Sequence, residues 1–295
     1  MKIPNVNFDY NKTNNEEFEI FDLEDLYSRQ YSHSHPEVPH KVKFFNLIYV
    51  ANGHGKHMVD FKEYPFQAGS FIFVQREQVH AYDFTNKPKG KVILFTQGFL
   101  DKVHANMRLP RYTPTHLNSE YTPSILLDEH NHDRCQALIN QISTEVCEPN
   151  SDPLIIMYLF STLSLLLHRL RPALKIDKLS QSQNIKFARF IELLFERYQS
   201  VRDANWYALQ INTTYKTLNH ICKLATGLTT KQLIDAYTIL ELKRILLVSS
   251  VTTQQIAFDH GFEDASNFVK YFKNHTQLTP SQFRKQYLTA NLTKQ

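Results

Sequence analysis

The chain has 295 residues, 42% of them hydrophobic, long enough for two domains that each bury a core. Its three cysteines, Cys135, Cys147 and Cys222, are odd in number and show no CxxC spacing; this argues against a disulfide framework or a structural zinc site and fits a reducing cytoplasm. Charge is uneven: residues 181–295 carry 14 Lys and Arg against 8 Asp and Glu, a net of +6, while the first 180 residues carry 19 against 21, so the back half is expected to meet an anion such as nucleic acid.

Taken in chain order, the N-terminal segment MKIPNVNFDYNKTNNEEF lacks the apolar stretch of a signal peptide. Residues 42–50 (VKFFNLIYV), 70–74 (SFIFV) and 91–95 (KVILF) are rich in β-branched and aromatic residues and are separated by the turn signals ANGHGK, YPFQAG and TNKPKG. They predict a small β-sandwich or barrel. Alternation in 42–50 sets Lys43, Phe45, Leu47 and Tyr49 on one face and Val42, Phe44, Asn46, Ile48 and Val50 on the other, and leaves open which face looks inward. An aromatic-lined barrel is a natural pocket for a small molecule; Lys43, Phe45, Tyr49 and Arg76 are the effector-binding candidates, with Lys43 or Arg76 placed to hold a carboxylate. Histidines 54, 57, 130 and 132 read as surface residues.

Beyond residue 99 the pattern turns helical. DRCQALINQISTEV is one clear piece; PLIIMYLFSTLSLLLHRLR (153–171), which starts at Asp152-Pro153 and carries Ser161, Thr162, Ser164 and His168, reads as a buried helix and not a membrane span. RPALKIDKLSQSQN has no clean period and predicts a linker, with residues 173–184 between a domain at 1–172 and another at 185–295. From there every segment has helical spacing, beginning with Ile185, Ala188, Ile191, Phe195 and Tyr198 on one face.

The back half repeats itself at an offset of 50 residues. KLATGLTTKQLIDAY (223–237) and KNHTQLTPSQFRKQY (273–287) share six of fifteen positions. Upstream, Ala208 and Ala257 are each followed four residues later by Asn212 or Gly261, the residue types that best accept a left-handed turn between two helices. Asp203, Thr252 and Asp264 are expected helix caps. The second helix of each unit buries Leu218 and Cys222, or Phe268 and Phe272. That leaves Lys216, Asn219, His220 and Lys223, or Ala265, Ser266, Lys270 and Lys273, on a face that suits a major groove. For one unit a plain helical hairpin with a solvated face is the simpler account; two units in register on the basic half argue for DNA. The helix between them, with Leu233, Tyr237, Leu240 and Leu247 on one stripe, would span about 27 Å over roughly 18 residues, near the spacing of successive major-groove faces.

IAFDHGFEDASNFVKYFKNHTQLTPSQFRK closely resembles the signature of the AraC/XylS family of bacterial transcription regulators at Ile256, Ala257, Gly261, Phe262, Ser266, Phe268, Phe272, Lys273, Thr279, Pro280 and Arg284. Residues 185–290 are similar to that family's double helix-turn-helix, and the front half, more loosely, to its cupin-like effector and dimerisation domain. Departures are Gln277 in place of a usual glycine, Lys270 and His220 in place of arginine, and Cys222 in place of phenylalanine; Lys and His lack arginine's two-pronged grip on guanine. The resemblance implies an α+β chain with an N-terminal cupin-like β-barrel and flanking helices, then an all-α double helix-turn-helix. It implies a cytoplasmic homodimer, with no enzyme activity and no cofactor or metal, that binds promoter DNA, a small-molecule effector and RNA polymerase and acts as an activator. The DNA-binding candidates are Thr214, Lys216, Thr217, Asn219, His220, Lys223, Ala265, Ser266, Asn267, Lys270 and Lys273. The rival reading is a metal-dependent cupin enzyme with an accessory helical domain, its metal held by His33, His35, Glu37 and His80.

Overall fold

The computed structural model describes residues 5–6, 8, 16–28, 35–107, 122–170, 179–249 and 251–292, so His33 and residues 173–178 of the expected linker lie outside the described residues. The chain divides into two compact units, whose described residues lie within 5–107 and 122–170 in one and within 179–292 in the other.

The first unit holds β1 (Asn5–Val6), β2 (Phe18–Asp22), α1 (Leu23–Ser28), β3 (His40–Val42), β4 (Phe45–Asn52), β5 (His54–Val59), β6 (Lys62–Gln67), β7 (Ser70–Val74), β8 (Val79–Ala81), β9 (Lys89–Phe95), α2 (Gln97–Met107), β10 (Ser124–Leu126), α3 (Glu129–Cys147) and α4 (Pro153–Leu170). The strands make two five-stranded sheets, β1-β3-β8-β5-β6 and β10-β7-β4-β9-β2. Among the described residues no strand pairing joins them, so the expected β-sandwich or barrel takes the form of two facing sheets. The central strand β4 is buried on both faces, which is why it is apolar on both of them apart from Asn46 and the terminal Asn52. Phe45, Leu47 and Tyr49 pack with Phe18, Ile93 and Phe95 under α2, α3 and α4. Phe44, Ile48 and Val50 pack with Val59, Phe66, Ile72 and Val92 between the sheets. The three layers are therefore sheet, sheet and helices.

The β5–β6 hairpin was not expected from the sequence. His54, Lys56 and His57 make β5 polar, and its turn is Asp60-Phe61, both left-handed at φ 46° and 68°. Two-residue hairpin turns normally announce themselves with Asn-Gly or a similar pair. Pro65 sits in β6, at the end of its sheet, where its missing N–H leaves no ladder partner unsatisfied. Helix α4 is long and apolar enough to cross a membrane by length and composition; here Ile156, Met157, Phe160, Leu163, Leu166 and Leu167 are buried in the core it shares with α2 and α3.

The second unit holds α5 (Gln181–Arg197), α6 (Ala204–Gln210), α7 (Tyr215–Thr226), α8 (Thr230–Val248), α9 (Thr253–Asp259), α10 (Ala265–Thr276) and α11 (Pro280–Leu292). Helix α5 begins inside the stretch read as a linker, because Ser180 and Gln183 form a reciprocal capping box. Its buried face is Phe187, Phe190, Ile191 and Leu194, and Ile185 is exposed, so the expected stripe is rotated: both flanks of this helix are apolar and only packing chooses between them.

The repeat identities turn out to be one set of hydrogen bonds made twice. Thr226 and Thr276 donate to the carbonyls of Cys222 and Phe272 and accept from Leu228 and Leu278. Thr229 with Gln232, and Thr279 with Gln282, form matching boxes at the starts of α8 and α11. In the tight turns, Thr213 N–H bonds Ala208 O at 3.0 Å and Phe262 N–H bonds Ala257 O at 2.9 Å, with Asn212 at φ 52° and Gly261 at φ 64° as expected. Helix α8 departs from its expected single stripe. Leu233, Ile234 and Tyr237 complete the core of α5–α7, its far end contacts α11, and Thr238, Ile239, Glu241, Leu242, Arg244 and Leu246 are buried as well. It is a shared core helix, buried on several faces, with Glu241 and Arg244 paired inside, more than a spacer.

Candidate nucleic-acid interface and ligand chamber

Helices α7 and α10 present their outward faces by the same local logic. Each is entered through a side-chain cap: Thr214 accepts from Thr217 N–H at 3.2 Å, and Asp264 accepts from Asn267 N–H at 2.7 Å. Each is seated by two fully buried residues one turn apart, Leu218 and Cys222, or Phe268 and Phe272. Burial pushes the Cys222 thiol up to about 12, so it is a core group and not a reactive one. This seating turns Lys216, His220 and Lys223 of α7, and Ser266, Asn267, Lys270 and Lys273 of α10, to solvent. Among the described residues no carboxylate pairs with Lys216, Lys223, Lys270 or Lys273.

The candidates are not equivalent. Asn219 is half-buried and its Oδ1 accepts from Thr230 N–H at 3.0 Å, tying α7 to the start of α8; only its amide nitrogen remains for a base. Thr214 and Thr217 share a hydroxyl–hydroxyl bond of 2.9 Å at the helix start, and Asn267 donates to Glu263 at 3.3 Å. The first recognition helix thus starts with neutral groups, and the second with two carboxylates. An open depression on α10 is lined by Ala265, Ser266, Val269, Lys270, Lys273 and Asn274. Val269 and Asn274, and Tyr215 as the repeat counterpart of Ala265, were missed. The repeat register carries the signal for Tyr215, which is exposed like its neighbour Lys216, but not for Asn274, whose counterpart Leu224 packs against the core.

In the first unit, Phe45 and Tyr49 face the helices. Tyr49 shares a 2.7 Å hydrogen bond with His132 of α3, and burial raises its pKa to about 12. Lys43 is exposed, and Arg76 donates to Lys43 O at 3.2 Å and Gln97 at 3.4 Å. The cavity between the sheets is lined by the opposite set: Leu23, Ile48, Val50, His57, Tyr82 and Phe84 among others. At about 10 Å³ it has room for no more than a water molecule.

Beside that cavity lies a polar cluster inside the sandwich. His57, expected at the surface, is fully buried, with its Nε2 3.2 Å from His80 Nδ1. The His40 and His80 rings are 4.3 Å apart, and His40 Nδ1 lies 3.0 Å from Val38 O. Asn46 donates to Tyr82 OH at 2.6 Å, while Asn46 Oδ1 and His80 Nε2 have no partner. Burial holds His57 down at about 3 and lowers His40 and His80 as well, so all three are neutral at pH 7. The ligand set of the rival reading is not assembled among the described residues. His35 and Glu37 are exposed, bonded to each other at 3.4 Å and, through Glu37, to Phe84 N–H. His80 instead keeps company with His40, His57 and Tyr82. Among the described residues no group of three His, Cys, Asp or Glu is arranged to hold a metal ion.

Two family profiles match the chain, one described as a helix-turn-helix domain over residues 207–286 and one as an AraC-like ligand binding domain over residues 22–153. Together they take in well over half of it. The HTH-type transcriptional activator RhaR of Salmonella dublin is 24% identical over 248 residues, 83% of this chain and 86% of its own; that of Salmonella typhi is 23% identical over the same span. Among solved structures, ToxT of Vibrio cholerae O395 is 14% identical with a TM-score of 0.44, over 83% of this chain and 89% of that one. The C-terminal domain of the yesN response regulator of Fusobacterium nucleatum is 21% identical with a TM-score of 0.31, over 36% of this chain and 99% of that one. With a ligand-binding unit in front and two helix-turn-helix units behind, the chain belongs to the AraC/XylS family of transcription regulators.

Proposed function

We propose that this regulator is a cytoplasmic, non-enzymatic activator that works as a homodimer and contacts RNA polymerase. In this reading a small molecule bound within residues 1–172 controls a DNA-binding domain at 185–295 through residues 173–184. The RhaR relatives are transcriptional activators. The observation that carries DNA reading is the pair of repeat-related helices α7 and α10, which turn matching cationic faces to solvent from two units that share helix α8. Lys216, Asn219, His220, Ser266 and Lys270 read base edges and Ala265 offers a methyl contact. Lys223 and Lys273, further along each helix, hold phosphates, and Thr214, Thr217 and Asn267 meet the backbone at the helix starts.

The effector enters between the sheets, where Asn46 Oδ1 and His80 Nε2 are buried without partners. A small-molecule site needs roughly 300–1,000 Å³, so binding must displace side chains such as Tyr82 and Phe84 that line the present cavity.

The test is selection from a random duplex pool, followed by titration of Lys270→Ala and Lys273→Ala on the selected site and its single-base variants at several salt concentrations. Lys270→Ala should cost about 1–3 kcal/mol and relax preference at one position. Lys273→Ala should weaken all sequences alike and lower the salt slope by about one. Loss of affinity without any change of preference in Lys270→Ala would remove Lys270 as a reader, and a wild-type protein that selects no sequence would remove the regulator reading.

A further inference from the structure

Two recognition helices read a bipartite site only if the distance and angle between them are held. Helix α8 is shared by the two halves, and Arg284 of α11 fixes the second half to its far end, its Nε donating to Leu246 O and its Nη2 to Val251 O at 2.8 Å each. A second tie exists, and the sequence repeat does not mark it. The turn between α5 and α6, in the first half, reaches the turn between α9 and α10, in the second. Arg202 donates through Nη2 to the carbonyl of His260, just past the end of α9. Its guanidinium carbon lies 3.7 Å from the Phe262 ring centroid and 5.6 Å from that of Tyr271. Tyr271 belongs to α10, and its hydroxyl donates to Asp235 of α8 at 2.8 Å. Asp235 also pairs with Lys231 at 2.6 Å and lies 3.6 Å from His275. At Gly261 an added Cβ would sit 3.2 Å from Gln199 O, so the two turns are in direct backbone contact.

This is a tie made once. Counting back from the caps Asp203 and Thr252, the counterpart of Arg202 is Val251, which has no such side chain. Only a flat cation can both stack on two rings and aim an N–H along its plane; lysine carries the charge without the plane. The geometry points to Arg202 as the positioning residue that sets the spacing between the two halves of the DNA site. The inference rests on the reading of α7 and α10 as the two base-reading helices.

The experiment measures affinity of the full chain for its selected site and for the same site with one base pair inserted between the halves, which displaces one half by about 3.4 Å and turns it by about 34°. Wild type should lose about tenfold or more, the scale of a lost base contact. Arg202→Met should lose less than about threefold on insertion while keeping the base preference within each half. Tyr271→Phe, which removes the hydroxyl that bonds Asp235 and keeps the ring beside Arg202, should fall between the two and keeps the question open to test if Arg202→Met fails to fold by circular dichroism. A residue of merely structural importance would lower the melting temperature and leave spacing discrimination as sharp as before. That result in either folded variant overturns the inference, as does a wild type that binds its site yet is indifferent to the insertion. A wild type with no sequence preference overturns the underlying DNA reading, and the two failures are thereby told apart.

Discussion

Gln277 ends α10 in a left-handed conformation, φ 65°, where its repeat counterpart Gly227 ends α7 at φ 79°. A side chain pays for that backbone at about 1–2 kcal/mol, and glycine's greater freedom in the unfolded chain returns part of it. Gln277→Gly should therefore raise stability by about 0.5–1 kcal/mol. Gly261 is the opposite case: φ is 64° and Gln199 O is already close. Gly261→Val should cost more than about 2 kcal/mol, whereas Asn212→Gly, at φ 52°, should stay within a few tenths. The only tryptophan, Trp206, lies in α6, so urea unfolding followed by its fluorescence reports on this half of the chain. Equal midpoints for all three variants would show that these turns do not depend on the left-handed positions.

At the scale of the element, α4 has one face in the core and another that is apolar and uncovered. Leu154 is 58% and Tyr158 57% exposed, with Ile155 and Leu165 at 45% each. Leu154, Tyr158, Thr162, Leu165 and Arg169 follow one another at gaps of four, four, three and four, a stripe along the helix. Asp152 precedes it and Arg169 lies near its end, both exposed. Two copies of α4 packed antiparallel would cover the stripe and bring each acidic start beside the other's basic end. In the proposed homodimer, Leu154→Asp combined with Tyr158→Asp should weaken association by at least about tenfold, because carboxylates would be buried in an apolar contact. Sedimentation should then find the mass of the single 34.6 kDa chain at concentrations where wild type is twice that. Unchanged association of the double variant would place the dimer contact elsewhere.

For the molecule as a whole, acidity should act on the ligand-binding half through its buried histidines. His40 on β3, His57 on β5 and His80 on β8 face one another, with Tyr82, Asn46 of β4 and, for His57, the carboxylate of Asp83 around them. Burial, followed by the charge of His40, holds His57 at about 3, while in the unfolded chain a histidine titrates near 6.5. The unfolded state therefore takes up the proton first. The stability this histidine contributes is complete above about pH 6.5 and is lost as pH falls toward 3; at pH 5.5 the loss from His57 alone is about 1.4 kcal/mol. Calorimetry should find the first unit melting earlier at pH 5.5 than at pH 7.5, with a flatter pH response in His57→Phe. A transition that does not move with pH would mean that the cluster is solvated.

The helix-turn-helix half was legible from the residues because its determinants are local. Thr229 with Gln232, Thr279 with Gln282, and the pair Asn212 and Gly261 act on backbone within a few positions, and each acts twice, so the repeat exposes them. Seating by Leu218 and Cys222, or Phe268 and Phe272, then fixes the outward faces by helical geometry alone. In the front half the strands at 42–50, 70–74 and 91–95 and the helices α3 and α4 were legible, but not which faces meet. Strand β4 is apolar on both faces, so alternation could not say that Phe45 and Tyr49 turn to the helices and Ile48 and Val50 to the opposing sheet; burial on the second face depends on which layer arrives there. His57 looked like a surface residue because β5 is polar in composition, and only the pairing of β5 with β8 brings it to His80. The Arg202 tie joins residues about 60 to 70 positions apart, through a carbonyl and two rings that no spacing rule connects. Contacts of that kind arise when separately determined helices pack, and only the tertiary structure decides them.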